Sequence, residues 1–271
     1  MTAAADIRLL VCDIDGTLVR HDKSLPDANV AAIRRLMDSG VPVTLISARP
    51  PSGMLWIAQA LGIAVPYGAF NGGTLFDSDG VIGAPHRLPP DVAARILAML
   101  TQAGVDAWLF AHTHWYATDD RNPHVPRERL SSGLEPTLQR DLSALCDEVD
   151  KIVGVSDDGA LLQSLESAIR QATAGHATVA LSQLYFLDAT AVLANKGDGV
   201  ALLARTLNVP LDCVAVIGDM PNDLPMFARA GLSIAMGQAP DAVRAAADWT
   251  TESNERDGVA LAIDRLLRER G

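Results

Sequence analysis

Two acids, Asp13 and Asp15, follow directly on the apolar run Leu9-Leu10-Val11-Cys12 and lead into Gly16 and Thr17. Such a run reads as a short buried parallel strand, and alternation sends Asp13 and Asp15 to one side while Ile14 packs on the other. Two carboxylates sharing a site where charge is costly need a cation or a reaction. A second constellation repeats the pattern: Gly218-Asp219-Met220-Pro221-Asn222-Asp223 follows Val214-Ala215-Val216-Ile217. Asp223 falls one turn beyond Asp219 if Pro221 opens a helix. With the two strands adjacent, Asp13, Asp15, Asp219 and Asp223 converge. Four carboxylates in one crevice require a hard cation with oxygen preference, Mg2+ first among them. Ser47 ends another buried strand, where its hydroxyl and the following amides can bond an oxyanion. Lys196 stands at the start of a helix, where the dipole disfavours a cation, so the placement is poor for stability and sensible for binding an anion. Carboxylate nucleophile, hydroxyl, ammonium and metal together describe a phosphoryl-transfer site.

These residues need a scaffold that gathers strand ends, and the chain alternates strands with helices in the way a parallel sheet covered on both faces requires. A helix is expected over 26–37, a buried strand over 43–46, a helix over 52–61, a short strand over 67–70 and a hairpin around Asp77-Ser78-Asp79-Gly80. The rhythm then changes. A helix over 90–102, strands over 107–110, 115–118, 151–155 and 184–187, and further helices between them suggest a separate α+β unit inserted into the core. Past Asn195 the α/β alternation returns, with a helix over 197–207, a strand over 213–217, a helix over 221–230, a strand over 232–235 and a closing helix. The fold class is therefore α/β, a doubly wound, mainly parallel sheet over 1–85 and 190–271, with an inserted α+β cap over 86–189.

Composition narrows the partners. With 271 residues, 49% of them hydrophobic and 20% charged, the chain can bury a substantial core. Its 22 Lys and Arg against 33 Asp and Glu give a formal charge of -11, which opposes binding to phosphate backbones or anionic lipid. Neither nucleic acid nor membrane is expected as a partner. No secretory segment and no run of the ~18 apolar residues that a span needs is evident, so a cytoplasmic location is expected. Cys12, Cys146 and Cys213 read as reduced, buried small residues, with Cys12 and Cys213 inside strands.

The ordered motifs resemble those of the haloacid dehalogenase-like phosphohydrolases, which carry DxDGT, a Ser or Thr, a Lys and a GDxxND segment at strand ends. Asp13 to Thr17, Ser47, Lys196 and Gly218 to Asp223 supply all four in that order. The insertion between Ser47 and Lys196 is similar in place and size to the α+β cap of the Cof-type subgroup, as are Asn71-Gly72-Gly73 and the strand at Trp115-Tyr116. Ser47-Ala48-Arg49 departs from the more usual Thr-Gly-Arg, and Ala48 restricts backbone freedom that glycine would give.

The resemblance implies roles. Asp13 would attack phosphorus and form an aspartyl-phosphate. Asp15 would protonate the leaving alcohol and later deprotonate water, which asks for a proton affinity above that of a free Asp. Asp13, the Asp15 carbonyl and Asp219 would hold Mg2+, with Asp223 acting through water or by orienting Lys196. Ser47 and Lys196 would bind the transferring phosphoryl group, with Arg49, Asn71, Gly72 and Asn222 expected at the substrate. In the cap, the polar and aromatic stretch from His112 through Arg129 could read the leaving group, with His114 and Trp115 as first candidates. His112 and His114 alternate onto one strand face but lack a third ligand for zinc. The expected activity is Mg2+-dependent hydrolysis of a small phosphorylated metabolite, a sugar phosphate or cofactor phosphate, by a monomer or small homo-oligomer. Two alternatives stay open: a phosphomutase or phosphotransferase using the same intermediate, and a non-catalytic sensor of a phosphorylated ligand.

Overall fold

The computed structural model describes residues 6–270. Its first strand, β1 (Leu9–Cys12), is buried along its whole length because neighbours cover it on both edges and both faces. The chain then runs through α1 (Asp27–Asp38), β2 (Val43–Leu45), α2 (Ser52–Leu61) and a three-stranded antiparallel sheet of β3 (Tyr67–Ala69), β4 (Thr74–Asp77) and β5 (Gly80–Ile82). The inserted unit holds α3 (Pro90–Gln102), β6 (Asp106–Ala111), β7 (His114–Ala117), α4 (Val125–Ser132), β8 (Pro136–Leu138), β9 (Val149–Val155), α5 (Gly159–Thr173), β10 (Ala177–Gln183) and β11 (Phe186–Ala191). The chain returns through α6 (Lys196–Thr206), β12 (Val214–Gly218), α7 (Leu224–Phe227), β13 (Leu232–Ala235), α8 (Asp241–Ala246), β14 (Trp249–Thr250) and α9 (Gly258–Arg270).

Five strands in the order β14-β13-β12-β1-β2 make the parallel core sheet. Period-two alternation divides β1 between two cores. Leu10 and Cys12 pack under α1, α2 and α9, while Leu9 and Val11 pack against Val200 and Leu203 of α6. In α1, Asn29, Ala32, Ile33 and Leu36 form the buried stripe of an amphipathic helix. Asn29 is the polar exception, and it is satisfied: its amide donates to the Leu18 carbonyl at 2.9 Å and its Oδ1 accepts from the Ala260 amide at 3.1 Å. That ties the loop after β1 to the last helix.

The central placement of β1 decides the site. β1 pairs with β12 in the register Cys12 to Ile217 and with β2 in the register Cys12 to Leu45. The carboxyl ends of three adjacent strands therefore deliver Asp13, Asp219 and Ser47 to one edge, the crevice where open α/β sheets take their ligands.

The cap is a six-stranded sheet, β10-β11-β9-β6-β7-β8, antiparallel except for the parallel pair β7 and β8. Helices α3 and α5 cover one face, with Ile96, Leu100, Leu162 and Ile169 in its core. The opposite face carries Trp108, Phe110, Trp115 and Phe186, which join the core of the parallel domain. The sheet lies over the catalytic edge with α4 seated on the start of α2. Ser52 Oγ donates to the Ser132 carbonyl at 2.6 Å, and a Cβ on Gly53 would lie 2.0 Å from the Ser131 oxygen, so only glycine permits this approach.

Several local expectations differ from the structure. His112 and Thr113 form the two-residue turn of the β6–β7 hairpin, with φ of 51° and 65°, so His112 and His114 do not share a strand face. β11 continues pairing to Ala191, which carries the cap sheet past residue 190 before the chain leaves it. The helix expected over 221–230 is a short 3-10 turn, 221–223, followed by the brief α7. Cys213 lies in a turn before β12 and is half-buried rather than inside the strand; all three cysteines are free thiols. No helix among the described residues is long and apolar enough to cross a membrane.

Candidate active site

Asp13 is 3% exposed and begins where β1 ends, its amide still bonded to the Ile217 carbonyl at 3.0 Å. Lys196 opens α6 behind the Asn195 cap and is itself buried. Its Nζ donates to Asp13 Oδ1 and Asp223 Oδ1, each at 2.6 Å. Asp223 Oδ2 accepts from the amides of Asp219 and Met220 at 2.8 Å each, which closes the turn after β12. Asp223 thus orients both the lysine and the Asp219 loop. Carboxylate oxygens of Asp13, Asp219 and Asp223 all lie within 4.8 Å of one another, a grouping able to hold one cation.

The fourth expected acid stands apart. Asp15 lines the same cavity, but its carboxylate takes a bidentate bond from Arg49, Nε to Oδ2 at 2.7 Å and Nη2 to Oδ1 at 2.8 Å, and a third contact from Lys23 Nζ at 2.5 Å. The convergence of four carboxylates expected from alternation is therefore a cluster of three plus a clamped acid. Lys23 is aimed by a tight loop in which it adopts φ of 68°, a conformation uncommon for a long side chain.

Electrostatics follow the same division. Burial pushes Asp13 up to about 7, with Lys196 pulling it down and Asp223 adding to the rise. Asp219 is raised well above the usual carboxylate range by burial, then by Asp13 and Asp223. For Lys196 burial alone would strip the proton, but Asp13 and Asp223 overcome it and hold the ammonium charged. For Asp15 burial favours the neutral acid, yet Arg49 and Lys23 outweigh it and keep the carboxyl well below its usual range. This reverses the expectation that Asp15's neighbours raise its proton affinity, because two cations outweigh desolvation here.

A pH dependence follows. An acid raised by folding adds stability that is complete below its unfolded value, about 4, and lost as pH climbs through the folded value near 7. Metal-free protein should lose on the order of a few kcal/mol between those limits in denaturant titrations, and saturating Mg2+ should flatten the slope by replacing protons with a cation. A metal-free stability that rises across this window would contradict the assignment.

The remaining expected residues fall into two groups. Ser47 is 1% exposed and lines the cavity, its Oγ accepting from the Arg49 amide at 3.2 Å. Arg49 and Asn222 line it too. Asn71 and Gly72 do not. The Asn71 amide instead donates to the Ser47 carbonyl at 2.7 Å, its Oδ1 accepts from Asn222 Nδ2 at 3.2 Å, and Gly72 packs so tightly on α6 that a Cβ would meet Gly199 Cα at 2.5 Å. These two residues shape the Ser47 turn and reach the cavity through Asn222. Ala48 has a negative φ, so alanine sits there without strain. Trp115 is fully buried in the cap, 5.0 Å from Trp108 and stacked on Phe110 at 6.2 Å, and does not line the cavity. His114 is exposed, with Nδ1 2.7 Å from the His112 carbonyl, and faces the junction between cap and core rather than the catalytic cavity.

Gly16 makes the cluster possible. At φ +80° it lets the loop after Asp15 pass so close to Asp219 that a Cβ would lie 2.2 Å from Asp219 Oδ2. Gly16→Ala should cost about 2 kcal/mol of stability and weaken Mg2+ binding together, measured by thermal unfolding and metal titration; binding equal to wild type would show the contact to be unimportant.

The match to known proteins agrees with this geometry. The family model for haloacid dehalogenase-like hydrolases matches residues 10–263. The chain belongs to the haloacid dehalogenase-like hydrolases. It is of the Cof type, an enzyme acting as a phosphatase. It is similar to the 5-amino-6-(5-phospho-D-ribitylamino)uracil phosphatase YitU of Bacillus subtilis, 27% identical over 271 residues and covering 96% of each chain. It also resembles the HMP-PP phosphatase of an Enterobacter species, 28% identical over 86% of this chain and 85% of that one. Among solved structures, a haloacid dehalogenase-like hydrolase from Bacteroides thetaiotaomicron superposes with a TM-score of 0.80 at 27% identity, over 96% of this chain and 99% of the other. As a haloacid dehalogenase-like hydrolase, the chain combines a parallel-sheet core with a separate, mainly antiparallel sheet in the place of a cap.

Residues that sequence reasoning missed come from the cap and from a loop. Lys23, Glu128 and Lys151 all line the catalytic cavity. The one available signal for Lys23 was its nearness in sequence to the Asp13 motif; nothing local marked the other two.

Proposed function

We propose that this haloacid dehalogenase-like hydrolase cleaves small phosphomonoesters through an aspartyl-phosphate on Asp13, with Mg2+ bound by the acidic cluster. The observation that carries this reading is the Asp13 carboxylate: Oδ1 is fixed by Lys196 at 2.6 Å, Oδ2 makes no hydrogen bond among the described residues, and the residue lines the cavity shared with Asp15 and Ser47. A nucleophile so held needs no reorientation before attack.

The donor set fits Mg2+, since three buried carboxylates, two of them raised towards the neutral form, are what a hard oxygen-seeking cation relieves. Asp13, Asp219 and the Asp15 carbonyl would hold it, and when bound it supplies positive charge to the phosphoryl oxygens. Asp13 Oδ2 attacks phosphorus, the ester P–O bond breaks, and the leaving oxygen takes a proton from Asp15. Water then attacks the aspartyl-phosphate, giving its proton back to Asp15 and freeing inorganic phosphate. Asp15 is ionised in the ligand-free clamp, ready for the second step. An entering phosphoryl dianion competes for Arg49 and Lys23 and brings negative charge near Asp15, and both effects raise its proton affinity for the first. Ser47 and Lys196 donate to phosphoryl oxygens as their charge grows.

The cap closes this chemistry off. The shared cavity holds about 40 Å³, against the roughly 300 Å³ or more of ordinary small-molecule sites, so a substrate enters only when the cap lifts about the segments 83–88 and 192–195. Lys151 Nζ, donating to the Ala48 carbonyl at 2.8 Å, and Arg127 Nη2, donating to the His21 carbonyl at 2.8 Å, bridge cap and core when it is shut.

Phosphate release from sugar, polyol and pyrimidine phosphomonoesters tests the reading, with EDTA and Asp13→Asn controls. Release that needs Mg2+ and is lost in the variant is expected. Silence across the panel from folded, metal-loaded protein would reject it.

A further inference from the structure

Three charged side chains in the cavity, Arg127, Glu128 and Lys151, take no part in the reaction, and of these Glu128 alone makes no hydrogen bond or ion pair among the described residues. Glu128 of α4 is 6% exposed and lines the cavity opposite the catalytic acids, yet its carboxyl makes no hydrogen bond or ion pair among the described residues. None of the cations around it bonds it. Lys23 and Arg49 hold Asp15, Lys151 bonds the Ala48 carbonyl, and Arg127 bonds the His21 carbonyl. Burial pushes the Glu128 carboxyl up to about 7, with Lys151 opposing, which shows how poorly the folded chain alone satisfies it.

A structural reason for Glu128 is too small. An acid in the first turn of a helix gains only about 0.3–1 kcal/mol from the dipole, which does not offset desolvating a carboxyl that no protein donor bonds. A group buried at a loss and facing a site is explained by what the site receives.

We propose that Glu128 is the specificity-determining residue of the leaving-group subsite: it bonds a hydroxyl or amine donor on an uncharged leaving group and repels leaving groups that carry a carboxylate. This rests on the phosphomonoesterase reading and adds the substrate class to it. Gln183 and Tyr185, the latter stacked on His124 at 4.1 Å, line the same wall and suit a hydroxyl-bearing chain.

Steady-state kinetics with three substrates test it in wild type, Glu128→Gln and Glu128→Leu. Ribitol 5-phosphate offers donors, p-nitrophenyl phosphate offers none in its leaving group, and phosphoglycolate carries a carboxylate. Glu128→Leu should lower kcat/KM for ribitol 5-phosphate about ten- to hundredfold and for p-nitrophenyl phosphate by no more than about threefold. Glu128→Gln should retain most activity on ribitol 5-phosphate and raise that on phosphoglycolate. Equal losses on all three substrates, or no loss on ribitol 5-phosphate, would overturn the assignment. Calorimetry of ribitol 5-phosphate with Mg2+ on Asp13→Asn, with and without Glu128→Leu, separates the two readings. If wild type releases no phosphate from any substrate, the phosphatase reading fails. The ratio of dissociation constants still decides Glu128, with about tenfold or more expected and a ratio of one against it.

Discussion

Asp13→Asn should lower phosphate release by about 10⁴-fold or more while leaving the metal-free protein at least as stable as wild type. The loss follows from removing the attacking oxygen, for which the amide has no substitute. The stability follows from burial: Asp13 sits among Asp219 and Asp223 with its carboxyl pushed up to about 7, so neutralising it relieves repulsion, and Lys196 keeps Asp223 at 2.6 Å. Initial rates beside thermal unfolding in EDTA check both halves. An inactive variant that is also strongly destabilised would show that Asp13 holds the fold rather than the reaction.

Lys196→Met should give the opposite pairing, with both activity and stability lost. The lysine offsets two buried carboxylates at once, and removing one partner of a buried pair typically costs about 3–5 kcal/mol. In the proposed reaction its ammonium also contacts the phosphoryl group, where the loss of one charged donor costs about 10²–10³ in kcat. The double variant Lys196→Met, Asp223→Asn should regain part of the stability and none of the turnover, since only the repulsion is relieved. Denaturant titrations and single-substrate rates on the three proteins measure this. Recovery of turnover in the double variant would exclude a direct role for the ammonium at the phosphoryl group.

These two results depend on groups that were legible in the sequence, and the reason is geometric. Asp13, Ser47 and Asp219 each end an apolar strand, and parallel strands must bring their carboxyl ends to one edge, so spacing alone brought them near one another. Lys196 was marked by its odd position at the start of α6. Contacts between distant segments carry no such local sign. The Arg49 clamp on Asp15 crosses 34 residues and reverses the expected direction of its proton affinity. Glu128 and Lys151 come from the inserted unit and reach the cavity from segments far along the chain from the core motifs. Trp115 and His114 stand away from the cavity, and alternation on a cap strand does not say which face meets the core. The inward face took the tryptophan into an aromatic cluster, and the hairpin turn left His114 outside. Asn71 and Gly72 were expected at the substrate and instead brace the turn that carries Ser47.

The covalent step is the centre of the account, and trapping it is the most direct test. Wild-type protein with Mg2+ is mixed with a phosphomonoester carrying a radiolabelled phosphoryl group, quenched in acid within one turnover and digested. The account predicts label on the peptide containing Asp13, removable by hydroxylamine, and none in Asp13→Asn. Labelled phosphate released at full rate with no label ever found on the protein would mean that water attacks the ester directly, and Asp13 would then be a metal ligand without a nucleophilic role.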